Sequence, residues 1–264
     1  MAEILFPRPA STVLTLRDAL GGYEILMLRR NLNSDFVGGA YVFPGGSVDD
    51  DDAGPAIQYR TFGRSDPETS SRLSVASGGI AYYVAGVREL FEEAGLLIAC
   101  DEEGEPLELA DDETVGRMAE HRRGLNNGSV GFVDVLDLEG LFIDLRPLEY
   151  IGHWVTPIGL TRRFDTRFFV ARAPRAQVAT HDAYETVANQ WVRPAEALLA
   201  HARGDLEMIL PTIRNLEAIA HFVTVDEVLE YARSLTDIVK VEPYIVEVDG
   251  ESRTLLPGDE NYAG

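Results

Sequence analysis

Val84, Val87, Phe91 and Ala94 recur at helical spacing. Glu89, Glu92 and Glu93, at positions i, i+3 and i+4, gather on roughly the opposite face. The pattern predicts a helix from Ala81 to Ala94, stopped by Gly95 in a left-handed conformation. One side of that helix packs and the other collects negative charge. Leu96 to Ala99 is apolar and is expected as a short buried strand, with Cys100 buried after it. Residues 11–17 and 23–29 read as strands flanking Gly21-Gly22, a hairpin turn signal. Glu149 to Val155, Arg167 to Ala171 and Asn189 to Val192 read as further strands. Asp111 to Arg123 is a charged helix, ended by Asn126-Asn127-Gly128, that caps rather than buries. Helices are also expected at Pro194 to His201, with proline in the first turn, at Thr212 to Phe222 and at Val225 to Leu235. Pro243 to Val248 and Arg253 to Leu256 form a terminal hairpin around Asp249-Gly250.

Strands interleaved with a few helices imply a layered α/β fold. Residues 47–79 are rich in Asp, Ser, Gly and Pro and are expected outside the core. No linker or internal repeat interrupts the chain, so residues 1–264 are read as one domain with a C-terminal extension from about 195 to 264.

The chain has 264 residues, 45% of them hydrophobic, which is ordinary for a globular core. Its single cysteine excludes an internal disulfide framework and fits a reducing compartment. The net charge is −21, from 44 acidic against 23 basic side chains, and Lys240 is the only lysine. That balance excludes a basic footprint for nucleic acid and argues against an anionic membrane surface. No apolar run reaches about 18 residues. The N-terminus lacks a signal-peptide pattern and the C-terminus lacks Ser-Lys-Leu, so a cytoplasmic location is expected.

Gathered charge has a cost. Glu89 and Glu93 are a like-charge i, i+4 pair, worth roughly 0.2–0.5 kcal/mol of repulsion on an exposed helix. Arg88 is expected to neutralise one partner, Glu92. A divalent cation would turn the repulsion into coordination, because hard ions take oxygen ligands. Three glutamates alone favour a solvated acidic face, since charge runs are usually surface. What precedes them separates the two readings.

Phe43-Pro44-Gly45-Gly46, taken with Arg88-Glu89-Leu90-x-Glu92-Glu93-x-Gly95-Leu96, resembles the Nudix hydrolase signature G-x5-E-x7-R-E-U-x-E-E-x-G-U, where U is aliphatic. The second half matches at every specified position. Between Gly46 and Arg88 lie 41 residues where the signature has 13, an insertion of 28 (41 minus 13), assigned to residues 47–79 within the box. Counted back from Arg88, the first motif glutamate falls on Ile80. Asp49, Asp50, Asp51 and Asp52 are candidate substitutes. A split box resembles the branch containing the peroxisomal coenzyme A diphosphatases (Nudix hydrolase 19-like). So do residues 36–46, Trp154-Val155-Thr156-Pro157, residues 162–169 and the tail Leu255-Leu256-Pro257-Gly258-Asp259-Glu260-x-Tyr262. Of the coenzyme A pattern upstream of the box, Leu26, Arg30 and Gly39 fit, and its second arginine falls on Asp35.

The resemblance implies a Nudix-type α/β/α sandwich with a mixed sheet, an insertion, and a helical plus hairpin C-terminal extension. It implies hydrolysis of a diphosphate linkage in a small-molecule nucleotide substrate with Mg²⁺ or Mn²⁺. Glu89, Glu92 and Glu93 would be metal ligands, joined by Glu185 from a later loop, and Arg88 would orient a glutamate. Gly45 and Gly46 would bring backbone close to the phosphates. Arg30, Arg162, Arg163 and Arg167 are candidates to hold phosphates bidentately. Trp154, Phe164 and Phe168 either stack on a base or pack in the core. The branch's substrate is coenzyme A or acyl-coenzyme A, cleaved to 4′-phosphopantetheine and 3′,5′-ADP. ADP-ribose or NADH as substrate, and a catalytically inactive nucleotide-sensing domain, are the alternatives. A homodimer is compatible with a chain of this kind.

Overall fold

The computed structural model describes residues 5–32, 38–109, 111–181, 186–248, 251–260 and 262. Asp35, Glu185, Asp249 and Gly250 lie outside the described residues. In chain order the elements are β1 (Arg8–Ala19), β2 (Gly22–Arg30), β3 (Tyr41–Val42), β4 (Gly45–Ser47), a 3₁₀ turn at Asp50–Ala53, α1 (Pro55–Tyr59), β5 (Thr61–Phe62), α2 (Asp66–Leu73) and α3 (Gly79–Ala94). There follow β6 (Ala99–Cys100), α4 (Asp112–Asn126), α5 (Phe132–Glu139), β7 (Phe142–Asp144), β8 (Glu149–Val155), β9 (Phe164–Arg172) and β10 (Thr186–Val192). The last elements are α6 (Pro194–Ala202), α7 (Leu210–Ile219), α8 (Val225–Ser234), β11 (Lys240–Val241), β12 (Tyr244–Val248) and β13 (Glu251–Leu255).

The main sheet runs β10-β2-β1-β9-β8-β11, with β3 on β2 and β4 on β1. It is mixed: β1 pairs parallel with β9 and antiparallel with β2 and β4. The two-residue period of a strand sends alternate side chains to opposite faces. Val13, Leu26, Leu28 and Phe169 enter one core with Val84, Val87 and Phe91 of α3. Leu14, Leu16, Ile25, Met27 and Val170 enter a second core with Leu216 of α7 and Val228 of α8. Two cores on one sheet make the α/β/α sandwich expected of a Nudix fold. Each large apolar side chain so buried contributes about 1.5–3 kcal/mol.

Helix α3 lies close on β1 because Gly86 has no side chain; a Cβ there would sit 2.8 Å from Ser11 Oγ and 3.0 Å from Val13 Cγ2. Its C-terminus is stopped by Gly95, at φ 70°, whose N–H donates to Phe91 O at 2.9 Å. Its N-terminus is capped from outside the helix. The Asp66 carboxylate accepts from Gly78 N and Ile80 N, both at 3.1 Å, and Ser70 Oγ accepts from Gly79 N at 2.9 Å. Burial alone would push the Asp66 carboxyl up, but these donors hold it below the usual carboxylate range.

Asp66 and Ser70 belong to the segment read as a surface insertion, and that expectation is corrected in two ways. Residues 47–79 contain two helices, and Ile57 and Leu73, at 1% and 2% exposure, are part of the α3 core. Turn-rich composition hid them, because α1 and α2 are too short to show a period. Other elements also differ. Leu96 to Ile98 is buried without joining a ladder, and the strand is Ala99–Cys100. Helix α5 and strand β7 were not anticipated. Strand β9 begins three residues before the expected Arg167.

Ile80, where the signature counted from Arg88 has glutamate, is 3% exposed among apolar side chains. Ile80→Glu is therefore expected to lower stability by roughly 3 kcal/mol or more, since it strands a carboxyl in an apolar site. A urea midpoint unchanged in that variant, or a gain in hydrolysis, would contradict this placement.

Candidate active site

The acidic face of α3 opens on a cleft of about 1030 Å³. Gly45, Gly46, Asp49, Arg88, Glu89, Glu92 and Glu93 line one end of it. Two packed elements hold these groups together. Strand β4 pairs with β1 beside α3, and Gly45 N donates to Glu93 Oε2 at 2.9 Å. A Cβ on Gly46 would fall 2.5 Å from Glu89 Oε1, and one on Gly45 would fall 2.3 Å from Ser11 O. The glycines therefore make room for the carboxylates and for β1, as well as lining the cleft.

Arg88 is 8% exposed and ties the cluster together. Its Nε and Nη2 donate to Asp52 Oδ1 and Oδ2, each at 2.9 Å, a bidentate pair. Nη1 donates to Glu89 Oε1 at 2.9 Å and to Glu92 Oε2 at 3.2 Å, and Nη2 also donates to Ser47 O at 2.9 Å. Asp49 Oδ2 lies 3.4 Å from Nη2. So Arg88 serves several carboxylates rather than the one expected. Burial would lower the affinity of its guanidinium for a proton, but Asp52, Glu89 and Glu92 raise it well beyond the ordinary value. Burial pushes the Glu92 carboxyl up, Asp52 and Asp49 push the same way, and Arg88 opposes them.

Asp52, 2% exposed, is the residue that counting back from Arg88 missed. Counted forward from Gly46, G-x5 ends at Asp52, and 35 residues rather than 7 separate it from Arg88. The 28 extra residues (35 minus 7) therefore enter after Asp52, and the motif's first acidic position is occupied by an aspartate. Its two oxygens are engaged by Arg88, so it acts as support for the arginine. The 3₁₀ turn places it: Asp49 N donates to Asp52 Oδ2 at 2.8 Å, and Asp52 N donates back to Asp49 O at 3.1 Å.

The four arginines divide. Arg30 and Arg162 line the cleft. Arg163 and Arg167 do not, which corrects their reading as phosphate ligands. Arg163 is 7% exposed; Nε donates to Thr156 O at 3.0 Å, Nη1 to Leu5 O at 2.7 Å, and Nη2 to Glu242. Arg167 Nη1 donates to Asp165 Oδ1 at 2.8 Å and its guanidinium lies over Tyr82. Because β9 begins at Phe164, its alternation sends Phe164, Thr166 and Phe168 to the cleft and Arg167 to the other face. Trp154 and Phe168 line the cleft while remaining 9% and 6% exposed. His153 is paired with Asp165 at 2.7 Å. Cys100 is buried, and burial together with Asp144 pushes its thiol up to about 11, so it is no nucleophile. Helix α4 closes the end of α3: Arg122 Nε and Asn126 Nδ2 donate to Glu92 O at 2.9 and 3.2 Å.

Among the described residues, no three acidic, histidine or cysteine side chains converge to cage a metal ion by themselves. The donors at the cleft end are all carboxylate oxygens, which suit a hard divalent cation. Mg²⁺ in particular is held by one or two carboxylates, with water and substrate phosphates completing its shell. The donor set fits that mode.

A mixed sheet between helical layers, with a glycine-rich strand set against an Arg-Glu-Glu-Glu helix, defines a Nudix hydrolase. Comparison with known proteins places it more closely. The NUDT19 Nudix domain family matches residues 52–219, and the chain belongs to that family. The acyl-coenzyme A diphosphatase NUDT19 of Homo sapiens is 28% identical over 273 residues, which span 91% of this chain and 72% of the relative. That of Xenopus laevis is 24% identical over 272 residues, spanning 91% and 71%. The crystal structure of a Nudix hydrolase from Alicyclobacillus acidocaldarius superimposes with a TM-score of 0.66 at 28% identity, covering 85% of this chain and 96% of that one. No helix among the described residues is long and apolar enough to cross a membrane.

Proposed function

We propose that this Nudix hydrolase is a metal-dependent diphosphatase of coenzyme A-type substrates, releasing 4′-phosphopantetheine and 3′,5′-ADP from coenzyme A or its acyl derivatives. The observation that carries the reading is the meeting of Gly45 and Gly46 with Glu89, Glu92 and Glu93 at one end of a large cleft. Its volume lies at the top of the range for ligand pockets and suits a ligand of that size. The names of the NUDT19 relatives support the substrate class.

Glu89, Glu92 and Glu93 would hold Mg²⁺ or Mn²⁺, which when bound neutralises the diphosphate and lowers the pKa of attacking water. Arg88, fixed by Asp52, holds the Glu89 and Glu92 carboxylates in position before substrate arrives. Arg30 and Arg162 bring guanidinium charge to the cleft, offsetting locally a chain of net charge −21. The whole chain is read as one catalytic unit, since residues as distant as Ala10 and Thr254 wall the same cleft.

The test is a product assay by mass spectrometry on coenzyme A, acetyl-coenzyme A, ADP-ribose and NADH, each with Mg²⁺, Mn²⁺ or chelator. Release of 4′-phosphopantetheine that stops with chelator is expected. Cleavage of ADP-ribose or NADH alone would keep the diphosphatase chemistry and remove the substrate assignment.

A further inference from the structure

The last turn of α3 is rich in charge and short of bonds of its own. An α-helix leaves the carbonyls of its last four residues without intrahelical donors. Here those residues are Phe91, Glu92, Glu93 and Ala94. Two of the three cleft glutamates therefore sit in the turn that frays most readily. Glu89 and Glu93, four residues apart, repel each other across it. Fraying would undo the helical spacing that puts Glu89, Glu92 and Glu93 on one face.

Donors from outside the helix replace the missing bonds. Glu92 O accepts from two side chains of α4, Arg122 Nε at 2.9 Å and Asn126 Nδ2 at 3.2 Å. Ala94 O accepts from Thr180 N at 2.9 Å. Arg122 joins the two contacts, because its Nη1 donates to Thr180 Oγ1 at 2.7 Å. A guanidinium at a helix C-terminus also complements the negative end of the helix dipole. The approach is close: a Cβ on Gly95 would fall 3.0 Å from Arg122 Nη1 and 3.2 Å from Thr180 Oγ1. Just beyond the helix, Leu97 N donates to Gln177 Oε1 at 2.8 Å and Gln177 Nε2 donates to Leu97 O at 3.0 Å. The α4 end of this brace lies at the site itself, since Leu125 and Asn126 line the cleft.

We propose that Arg122 and Asn126 of α4 are positioning residues for the reaction: by holding Glu92 O they keep the last turn of α3 helical, so that Glu89, Glu92 and Glu93 offer one fixed set of oxygens to the metal ion. The inference rests on the metal-dependent reading above. Glu92 is then fixed at both ends, its carbonyl by α4 and its carboxylate by Arg88 Nη1. Neither α4 residue need touch the metal. Each acts through the backbone of a residue that does, and such outer partners fix the geometry on which affinity for the ion depends.

The experiment measures Mn²⁺ binding without substrate, from the electron paramagnetic resonance signal of the free ion, in the wild type, Arg122→Met, Arg122→Lys, Asn126→Ala and the control Arg123→Met. Arg123 is an exposed α4 residue whose guanidinium lies 3.5 Å from Glu120 on the same helix. The site followed is the one lost in Glu93→Gln. Melting temperature, and kcat/KM on whichever substrate of the panel above is cleaved, are measured alongside. Arg122→Met is expected to weaken Mn²⁺ binding and lower kcat/KM on the order of 10-fold or more. Arg122→Lys, which keeps the charge and one donor, should recover part of both, and the control should match the wild type. Asn126 is exposed, so Asn126→Ala should weaken the metal with little change in melting temperature, and it tests the same carbonyl if Arg122→Met fails to fold. Wild-type Mn²⁺ affinity in Arg122→Met and Asn126→Ala, including with a lowered melting temperature, overturns the positioning role while the diphosphatase reading stands. If the wild type has no Mn²⁺ site that Glu93→Gln removes, or cleaves nothing in the panel, the metal-dependent reading itself fails and this inference falls with it.

Discussion

Replacing Glu92 or Glu93 by glutamine is expected to lower kcat on the order of 10²–10³-fold, the range for removing one partner of transition-state charge, while the fold persists. Glutamine keeps the shape of the side chain and removes the charge. Glu93 is 4% exposed and accepts from Gly45 N, a bond that the amide oxygen of glutamine can still accept. Glu92 sits between Arg88 and the cleft, and losing its charge leaves Arg88 with Glu89 and Asp52. Neither change opens a cavity, so circular dichroism and the melting temperature should move little. The decisive readout is turnover at saturating substrate over a range of Mn²⁺ concentrations. If the charge serves to bind metal, the loss should shrink as Mn²⁺ rises. Wild-type kcat in both variants would remove these carboxylates from the chemistry.

Asp52→Ala is expected to destabilise the fold by about 3–5 kcal/mol, the cost of breaking a buried ion pair from one side. Asp52 and Arg88 are 2% and 8% exposed, so solvent screens their contact weakly. Without Asp52 the guanidinium loses both oxygens of its bidentate partner and remains buried. Arg88→Met alone strands Asp52 in the same way. The double variant should cost less than the sum of the singles, because neither charge is then left without its partner. Urea denaturation of the four proteins in this cycle measures the coupling. Strict additivity would show that the pair carries no energy of its own. Turnover in Asp52→Ala should also fall, because Arg88 would no longer hold Glu89 and Glu92 in one arrangement.

The two variant sets separate two jobs that one motif combines. The α3 glutamates face the cleft and pose a charge problem that only a cation or a guanidinium resolves. Asp52 faces inward and resolves part of it from below. Natural sites of this kind place charge where it is costly and support it with a second layer of residues.

Much of this was readable in the residue order. The helical period of Val84, Val87, Phe91 and Ala94, with Gly95 after it, gave α3 nearly to its ends, because periodicity over four turns is a strong local signal. The β1–β2 hairpin and the terminal hairpin followed from glycine turns between apolar runs. The acidic face was legible for the same reason: positions i, i+3 and i+4 must share a side of any helix.

Other features needed the third dimension. Which of Ile80 and Asp52 fills the first acidic position depends on where 28 residues are inserted, and a count from one end of a broken motif cannot decide that. Packing decides it, by burying Ile80 among apolar side chains and closing Asp52 on Arg88. Arg162 and Arg163 are neighbours in sequence, yet one lines the cleft and the other pins the base of a hairpin near the far end of the chain. An arginine reaches whatever anion the fold brings within range, and that anion here lies 79 residues away. The sequence by itself determined the helix and its charged face, because those rest on short-range periodicity, and its resemblance to the Nudix signature implied the family of chemistry. The tertiary structure alone decided which charges face the cleft and which are spent on holding it together, because that is set by contacts between residues remote in the chain.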